Sequence, residues 1–167
     1  MSELLTTQEM LDHFNVHAQA EFLRDIETTM ATVSDDPHYE WVSLGMELNG
    51  QGAVREFYQR FMDNLIPRMK NGGRRMAAFG DNSIWQESIF DLEDDDGALT
   101  KHSSLTIARF QTDPIKIIGE HSYGSPGFND FARRALGEDI WDVPGITPLD
   151  ISKIQLMPVS YIGVAGE

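Results

Sequence analysis

The segment that decides the fold runs from residue 25 to residue 62 and reads DIETTMATVSDDPHYEWVSLGMELNGQGAVREFYQRFM. Its first part continues an amphipathic helix, predicted over residues 17–36, which ends before Pro37 because the residue preceding a proline disfavours helical geometry. The next letters, HYEWVSL, are rich in aromatic and β-branched residues and predict a strand at about residues 38–44. Several glycines then precede a third predicted helix, AVREFYQRFMDNLIP, which Pro67 ends.

The sequence on either side extends this helix, strand and helix. Upstream, Thr6 or Thr7 followed by Gln8 and Glu9 is typical of a helix start, and a short helix is predicted at about residues 7–15. Downstream, four apolar segments separated by turn residues predict an antiparallel meander: RRMAAFG, SIWQESIFDLE, KHSSLTIARFQ and IKIIGEHSYG. The tail contains a short predicted helix, FNDFARRAL, and a candidate strand, LMPVSYIGV.

The composition is that of an ordinary folded domain. The 167 residues are 41% hydrophobic and 24% charged, which suits one folded domain over residues 1–167, and the predicted mixture of helices and antiparallel strands makes it an α+β domain. Thirteen basic against 27 acidic side chains give a formal net charge of -14, which disfavours nucleic acid and anionic membrane surfaces as partners. With no cysteine, no signal-peptide pattern and no apolar stretch of membrane-spanning length, the cytoplasm is the expected compartment.

The order of elements, and a set of residues within it, resemble the nuclear transport factor 2-like superfamily, specifically its SnoaL-like (polyketide-cyclase-like) branch. The matching positions are Asp25, Asp35-Asp36, Trp41, Gly52 and Phe57-Tyr58. The resemblance covers roughly residues 8–124, which makes this the expected core and residues 125–167 a C-terminal extension. It implies a cone-shaped, cystatin-like fold, in which a curved antiparallel sheet wraps around N-terminal helices. Because the fold hosts many activities, it implies much less about chemistry.

The resemblance implies a small-molecule-binding protein that works without a cofactor. The expected activity is that of a lyase, isomerase or cyclase, using general acid and base chemistry on a hydrophobic carbonyl-containing substrate. Two other functions fit the same pattern: a non-catalytic ligand-binding or assembly module, and the small subunit of a ring-hydroxylating oxygenase. Members of the superfamily often pair through their sheet faces, so a homodimer is expected, with apolar outer-face residues at Ile84, Phe90, Leu105, Ile107 and Ile118.

Strand alternation predicts which side chains share a face with a catalytic site. If the two hairpins are centred between Asp96 and Gly97 and between Thr112 and Asp113, one face carries Trp85, Glu87, Asp91, His102, His121 and Tyr123. On a concave face, Glu87 or Asp91 would be the base, His102 and His121 would donate protons or orient the substrate, and Trp85 and Tyr123 would contact the ligand. The alternative is that the histidines only fill the core or the surface.

Other candidate residues lie on the helices and the first strand. Asp25 is a catalytic candidate by resemblance, although a solvated ion pair with Arg24 is the competing interpretation. On the first strand, alternation separates Tyr39 and Trp41 from His38 and Glu40, and one of these pairs should face the pocket. The aromatic pair would suit an apolar ligand, and Tyr58 on the third helix is a further predicted ligand contact.

The sequence predicts neither a metal nor a cofactor site. His13 and His17 have a spacing that can bind a metal on one helix face, but the predicted break at Asn15 and Val16 separates them, and no third ligand is apparent. The acidic run from Glu93 to Asp96 lacks the pattern of a calcium loop, and the glycines form no phosphate loop.

Overall fold

The N-terminal helices form because each begins at a side-chain cap. In the computed structural model, which describes residues 4–154, helix α1 spans Thr7–Leu23, and Thr6 and Glu9 form a capping box at its start. Arg24 then adopts a left-handed conformation with φ of 58°, and Asp25 caps the short helix α2, Ile26–Ala31. The predicted break at residues 15–16 is therefore wrong.

The two remaining α-helices of the described chain contact each other. Helix α3, Gly50–Arg60, confirms the third predicted helix and continues into a π-helical turn, Phe61–Leu65. Helix α4, Pro126–Leu136, confirms the predicted helix of the C-terminal extension.

One curved sheet of seven strands supports the helices, and its strands lie side by side in the hydrogen-bonded order β3-β4-β5-β6-β1-β2-β7. All neighbouring pairs are antiparallel except β6 and β1, which are parallel. The strands are β1 His38–Trp41, β2 Met46–Asn49, β3 Met69–Gly80, β4 Ser83–Glu93, β5 Leu99–Thr112, β6 Ile115–Gly124 and β7 Ile146–Pro148. The α+β class and the cone-shaped architecture predicted from the sequence are thus confirmed.

The hairpin registers differ from the predicted ones. Because Ser83 lies opposite Arg109, the hairpin of β4 and β5 is centred on Asp96 itself. Odd-numbered residues of β4 therefore lie opposite odd-numbered residues of β5, and even-numbered residues lie opposite even-numbered ones. In the next hairpin a β-bulge between Arg109 and Phe110 shifts the register by one residue. Each of these two differences reverses the predicted face of one strand relative to its neighbour. The residues of β4 and β6 were therefore grouped correctly with each other, and only those of β5 were grouped with the wrong face.

The observed faces follow from this pairing. The concave face, toward the helices, carries Ile84, Gln86, Ser88 and Phe90 from β4, His102, Ser104, Thr106 and Ala108 from β5, and Glu120 and Ser122 from β6. The convex face carries Trp85, Glu87, Leu105, Ile107, His121 and Tyr123. Of the predicted outer-face residues, Ile84 and Phe90 therefore point inward instead.

The C-terminal extension completes both the core and the sheet. Asn129 on α4 accepts hydrogen bonds from Trp41 Nε1 at 3.1 Å and Ser43 Oγ at 3.0 Å. These bonds hold α4 against the end of β1 and the turn that follows it. Strand β7 adds an edge strand beside β2. The predicted strand at residues 156–164 lies outside the described residues. No helix within residues 4–154 has the length and apolar character needed to cross a membrane.

Candidate functional site

A cavity of about 300 Å³ lies between the concave face of the sheet and helices α1 and α3. Many of its lining residues are aromatic, and its volume is in the range of small-molecule sites. The aromatic residues that line it are Phe14, Phe22, Trp41, Phe57, Tyr58, Phe61, Phe90 and Phe128.

The floor of the cavity is polar, because small hydroxyl and amide side chains occupy the inward positions of three strands. They are Gln86, Ser88, Ser104, Thr106 and Ser122. At the rim, Arg74 donates hydrogen bonds to Gln86 Oε1 at 2.6 Å and Asn15 Oδ1 at 3.2 Å, which connects the sheet to α1. A ligand in this cavity would meet an apolar surface on one side and hydrogen-bonding groups on the other.

Glu120 places a carboxyl group at the inner wall of the cavity. Its cross-strand neighbour on β5 is Ala108, whose small side chain leaves room for the glutamate, and only 12% of the Glu120 side chain is exposed. Burial raises the pKa of Glu120 to about 7; the nearby His17 opposes this rise and Glu21 adds to it. A carboxyl with a pKa near neutrality can accept and return a proton at physiological pH.

His17 lies directly behind this carboxyl, on the inner face of α1, and is 1% exposed. Its Nε2 atom is 2.9 Å from Tyr58 Oη, 3.6 Å from Glu21 Oε1 and 3.7 Å from Glu120 Oε1. Burial lowers the pKa of His17, but the two carboxylates outweigh it, so that the pKa lies above its ordinary value. The charged imidazole and an ionised Glu120 therefore stabilise each other.

One buried phenol, Tyr58, completes the cluster, and a second, Tyr39, packs against it. Tyr58 lines the cavity, and its ring packs edge to face with Tyr39 at a centroid distance of 5.9 Å. Burial raises the pKa of both phenols well above the ordinary value, and the charge of Glu120 adds to the effect, so both remain protonated donors. We call Glu120, His17, Tyr58 and Glu21 the acid-base cluster.

The structure brings some predicted ligand contacts to this cavity. Trp41 and Tyr58 line it. Tyr39 is buried behind Tyr58, and its hydroxyl has no hydrogen-bond partner within residues 4–154. The predicted roles of these residues in ligand binding stay predictions.

Most of the predicted catalytic residues lie elsewhere. Glu87, Trp85, His121 and Tyr123 share the convex face, where Glu87 pairs with Arg75 at 2.7 Å. His121 lies there beside Glu40, with Nδ1 and Oε2 3.8 Å apart. These four residues share a face as predicted, but it is the face away from the cavity, so the cavity gives no support to their predicted roles.

His102 and Asp25 are separated from both groups. His102 is on the concave face, but it packs against Phe131 of α4 and contacts Thr100 Oγ1 at 2.8 Å, outside the cavity lining. The exposed Asp25 accepts hydrogen bonds from Thr28 N and Oγ1 at 3.0 and 2.6 Å, which accounts for it as a helix cap. The predicted constellation of Glu87 with His102 is therefore not assembled.

Sequence reasoning missed His17 and Glu120 as site residues. His17 follows Met10 and Phe14 on one helical stripe, and a histidine in such an apolar stripe was the available signal. It was lost because the helix was predicted to break at residue 15. Glu120 shares a face with Gln86 and Ser88 in the predicted grouping as in the structure, and the sequence analysis missed it because it took the opposite face as the concave one.

The described part of the chain contains no cluster of side chains suited to a metal ion. His13 and His17 do lie on one continuous helix, but no group of three or more His, Asp or Glu side chains within residues 4–154 could hold a metal ion.

Comparison with known proteins shows similarity in structure only. No protein-family model matches the sequence, and no curated protein matches it significantly. An NTF2-like protein of unknown function from Cytophaga hutchinsonii is 19% identical, with a TM-score of 0.56 over 68% of this chain and 96% of that one. A protein with a cystatin-like fold from Silicibacter pomeroyi is 8% identical, with a TM-score of 0.63 over 81% and 94% of the two chains.

A third solved structure was determined with a bound small molecule. It is a protein with a ketosteroid isomerase-like fold from Catenulispora acidiphila, in complex with trimethylamine, 14% identical with a TM-score of 0.55 over 72% of this chain and 88% of that one. At such identities these likenesses establish architecture rather than chemistry. The chain therefore has the fold of the nuclear transport factor 2-like and cystatin-like proteins.

Proposed function

We propose that the protein is a cofactor-independent lyase, isomerase or cyclase that binds a small, largely apolar, carbonyl-containing molecule in the cavity. The observation that carries this proposal is the Glu120 carboxyl, which faces an aromatic cavity with a pKa of about 7 and lies 3.7 Å from His17. All three reaction classes can begin with removal of a proton from the carbon next to a carbonyl group. Affiliation with the SnoaL-like branch belongs to the same proposal.

The acid-base cluster contains the groups that such a reaction needs. The Glu120 carboxylate takes the proton, and the negative charge that develops on the substrate oxygen is stabilised by a hydrogen bond from Tyr58, whose ring also forms part of the cavity wall. The charge of protonated His17 favours the ionised base. The aromatic walls exclude water and hold the apolar part of the substrate.

The first test is exchange of carbon-bound hydrogen in D₂O, followed by ¹H NMR over a panel of aryl and alicyclic ketones. Wild-type protein should accelerate exchange for those ketones that bind. The Glu120→Gln variant should lower the exchange rate by about 100-fold or more, because the base is removed, while ligand affinity changes only a few-fold.

Glu87→Gln is the matched control, since Glu87 lies on the convex face of the same sheet. It should exchange hydrogen at the wild-type rate. Equal rates for wild type and Glu120→Gln would refute the proposed role of Glu120, and a loss of exchange in Glu87→Gln would return the site to the convex face.

The second candidate function is binding without turnover. It is favoured by the structure of the Catenulispora protein, which was solved in complex with a small molecule, trimethylamine. Thermal-shift titration would then show ligand-linked stabilisation that is similar in wild type and Glu120→Gln, with no exchange in either protein.

A further inference from the structure

A chain of buried hydrogen bonds runs behind the cavity from α2 to Tyr58. Thr32 Oγ1 donates to the backbone carbonyl of Thr29 at 2.6 Å, and the same Oγ1 lies 2.6 Å from His17 Nδ1. On the other side of the imidazole ring, Nε2 is 2.9 Å from Tyr58 Oη. Thr32 and His17 are both buried, so water does not compete for these bonds.

The first bond in this chain determines the second. A hydroxyl group carries one proton, and a carbonyl oxygen can only accept. Because the Thr32 hydroxyl gives its proton to the Thr29 carbonyl, its oxygen can only accept from the imidazole. His17 Nδ1 must therefore carry a proton in both the neutral and the charged form of the ring.

The state of Nε2 then determines which way the Tyr58 hydroxyl points. In neutral His17 the Nε2 atom is an acceptor, so Tyr58 donates to it and presents only lone pairs to the cavity. In charged His17 the Nε2 proton is donated to Tyr58 Oη, so the phenol proton is released from Nε2 and can turn toward the cavity or toward the neighbouring Tyr39 hydroxyl. The other titratable groups facing His17 are Glu21 and Glu120, with His13 one turn earlier on the same helix.

We propose that Thr32 is a positioning residue that holds His17 in the Nδ1-protonated tautomer, so that one proton switches the base and the hydrogen-bond donor on together. When His17 holds this proton, Glu120 is a carboxylate and Tyr58 can donate to a substrate oxygen. When Glu120 holds it, the base is blocked and the Tyr58 proton is engaged by Nε2. The catalytic use of the switch rests on the proposed function; the tautomer itself does not.

The neighbouring histidine provides an internal reference. His13 Nε2 lies 2.9 Å from the backbone carbonyl of Thr32, which can only accept, so His13 carries its proton on Nε2. One residue thus holds two histidines of one helix in opposite tautomers, through its carbonyl and its hydroxyl. A substitution of the Thr32 side chain should change only the tautomer of His17.

The test is a long-range ¹H–¹⁵N NMR spectrum of the imidazole rings in the full-length, ¹⁵N-labelled protein without ligand. The two rings are assigned with His13→Gln and His17→Gln variants. At a pH where His17 is neutral, wild type should show Nδ1–H for His17 and Nε2–H for His13. In Thr32→Val the Nε2–H form of His17 should become populated, whereas Thr32→Ser should keep the wild-type pattern.

The His13 signal reports whether each Thr32 variant is folded, since the backbone carbonyl of residue 32 that His13 binds is present in both. An Nε2–H tautomer of His17 in wild type, or an unchanged tautomer in Thr32→Val, would overturn the inference. Hydrogen exchange into a bound ketone should fall roughly tenfold or more in Thr32→Val and recover in Thr32→Ser. If the tautomers are as expected but wild type exchanges no ketone, the proposed function fails and the positioning role of Thr32 stands.

Discussion

At the scale of single residues, the site depends on one carboxyl group and one imidazole that share a buried environment. Burial disfavours the charged form of each group, so it raises the pKa of Glu120 and lowers the pKa of His17. The opposite charge of the partner counteracts the effect of burial in both. Together they form a pair in which one proton is held by either partner. A carboxyl group that costs stability when it is ionised is typical of a functional site.

This cost predicts a pH dependence of stability. The pKa of Glu120 is about 7 in the folded protein and about 4.3 in an unfolded chain, so the folded state binds the proton more tightly. Between those values the free energy of unfolding should fall as pH rises, by on the order of 3 kcal/mol. The raised pKa of His17 acts in the same direction, since its contribution is present at low pH and is lost as pH rises.

Urea denaturation of wild type and Glu120→Gln at several pH values from 5 to 8 measures this effect. Glutamine does not titrate, so the stability of wild type relative to the variant should decrease steadily over this range. The comparison is needed because His13, His102 and His121 have lowered pKa values, and each makes stability rise with pH. A difference that stays constant from pH 5 to pH 8 would contradict the buried position of the Glu120 carboxyl.

At the scale of elements, the sequence predicted types well and relative positions poorly. The helix containing Phe57 and Tyr58 was predicted because apolar residues at helical spacing and a terminal proline agree, and the strands were predicted because alternation and turn residues agree. The sides of the strands were not predictable in the same way, because they depend on a five-residue turn centred on Asp96 and on the bulge at Arg109. A bulge reflects sheet curvature, which no local pattern reveals.

The parallel contact between β6 and β1 also depends on a single position. A Cβ atom at Gly119 would lie 2.0 Å from the carbonyl oxygen of His38. Gly119→Ala should therefore push β1 away from β6 and lower the free energy of unfolding by more than about 3 kcal/mol. Thermal and urea unfolding measure the change.

Gly52 offers a matched control for this substitution. It lies in the first turn of α3, and nothing within 4 Å would meet an added Cβ. Gly52→Ala should leave stability unchanged or raise it by up to about 1 kcal/mol. A Gly119→Ala protein as stable as wild type would show that β1 and β6 are not packed this closely.

At the scale of the whole molecule, the sheet separates two surfaces. The concave surface encloses the cavity, and the convex surface exposes apolar side chains at Met76, Trp85 and Tyr123, with Trp85 47% exposed. We expect this convex surface to bind a second copy of the chain, as predicted from the sequence, because large aromatic groups on a sheet face are seldom left to solvent.

Light scattering at high protein concentration tests this expectation. Wild type should be a dimer that becomes tighter as salt is added, since each chain has a formal net charge of -14 and like charges repel less when screened. Trp85→Ser should be monomeric. Trp141→Ser is the control, since Trp141 is similarly exposed, at 43%, but lies beyond α4; a monomeric wild type would refute the expectation.

The bulge opposite Arg109 and Phe110 has a consequence for how such a protein can evolve. Its extra residue is Ile118 of β6, because Arg109 pairs with Gly119 and Phe110 pairs with Ile117. Deleting that one codon would make the ladder regular and leave Glu120 opposite Ala108, still facing the cavity. The cavity wall therefore tolerates a one-residue deletion at this point, whereas the same deletion in a hairpin without a bulge would reverse every side chain beyond it.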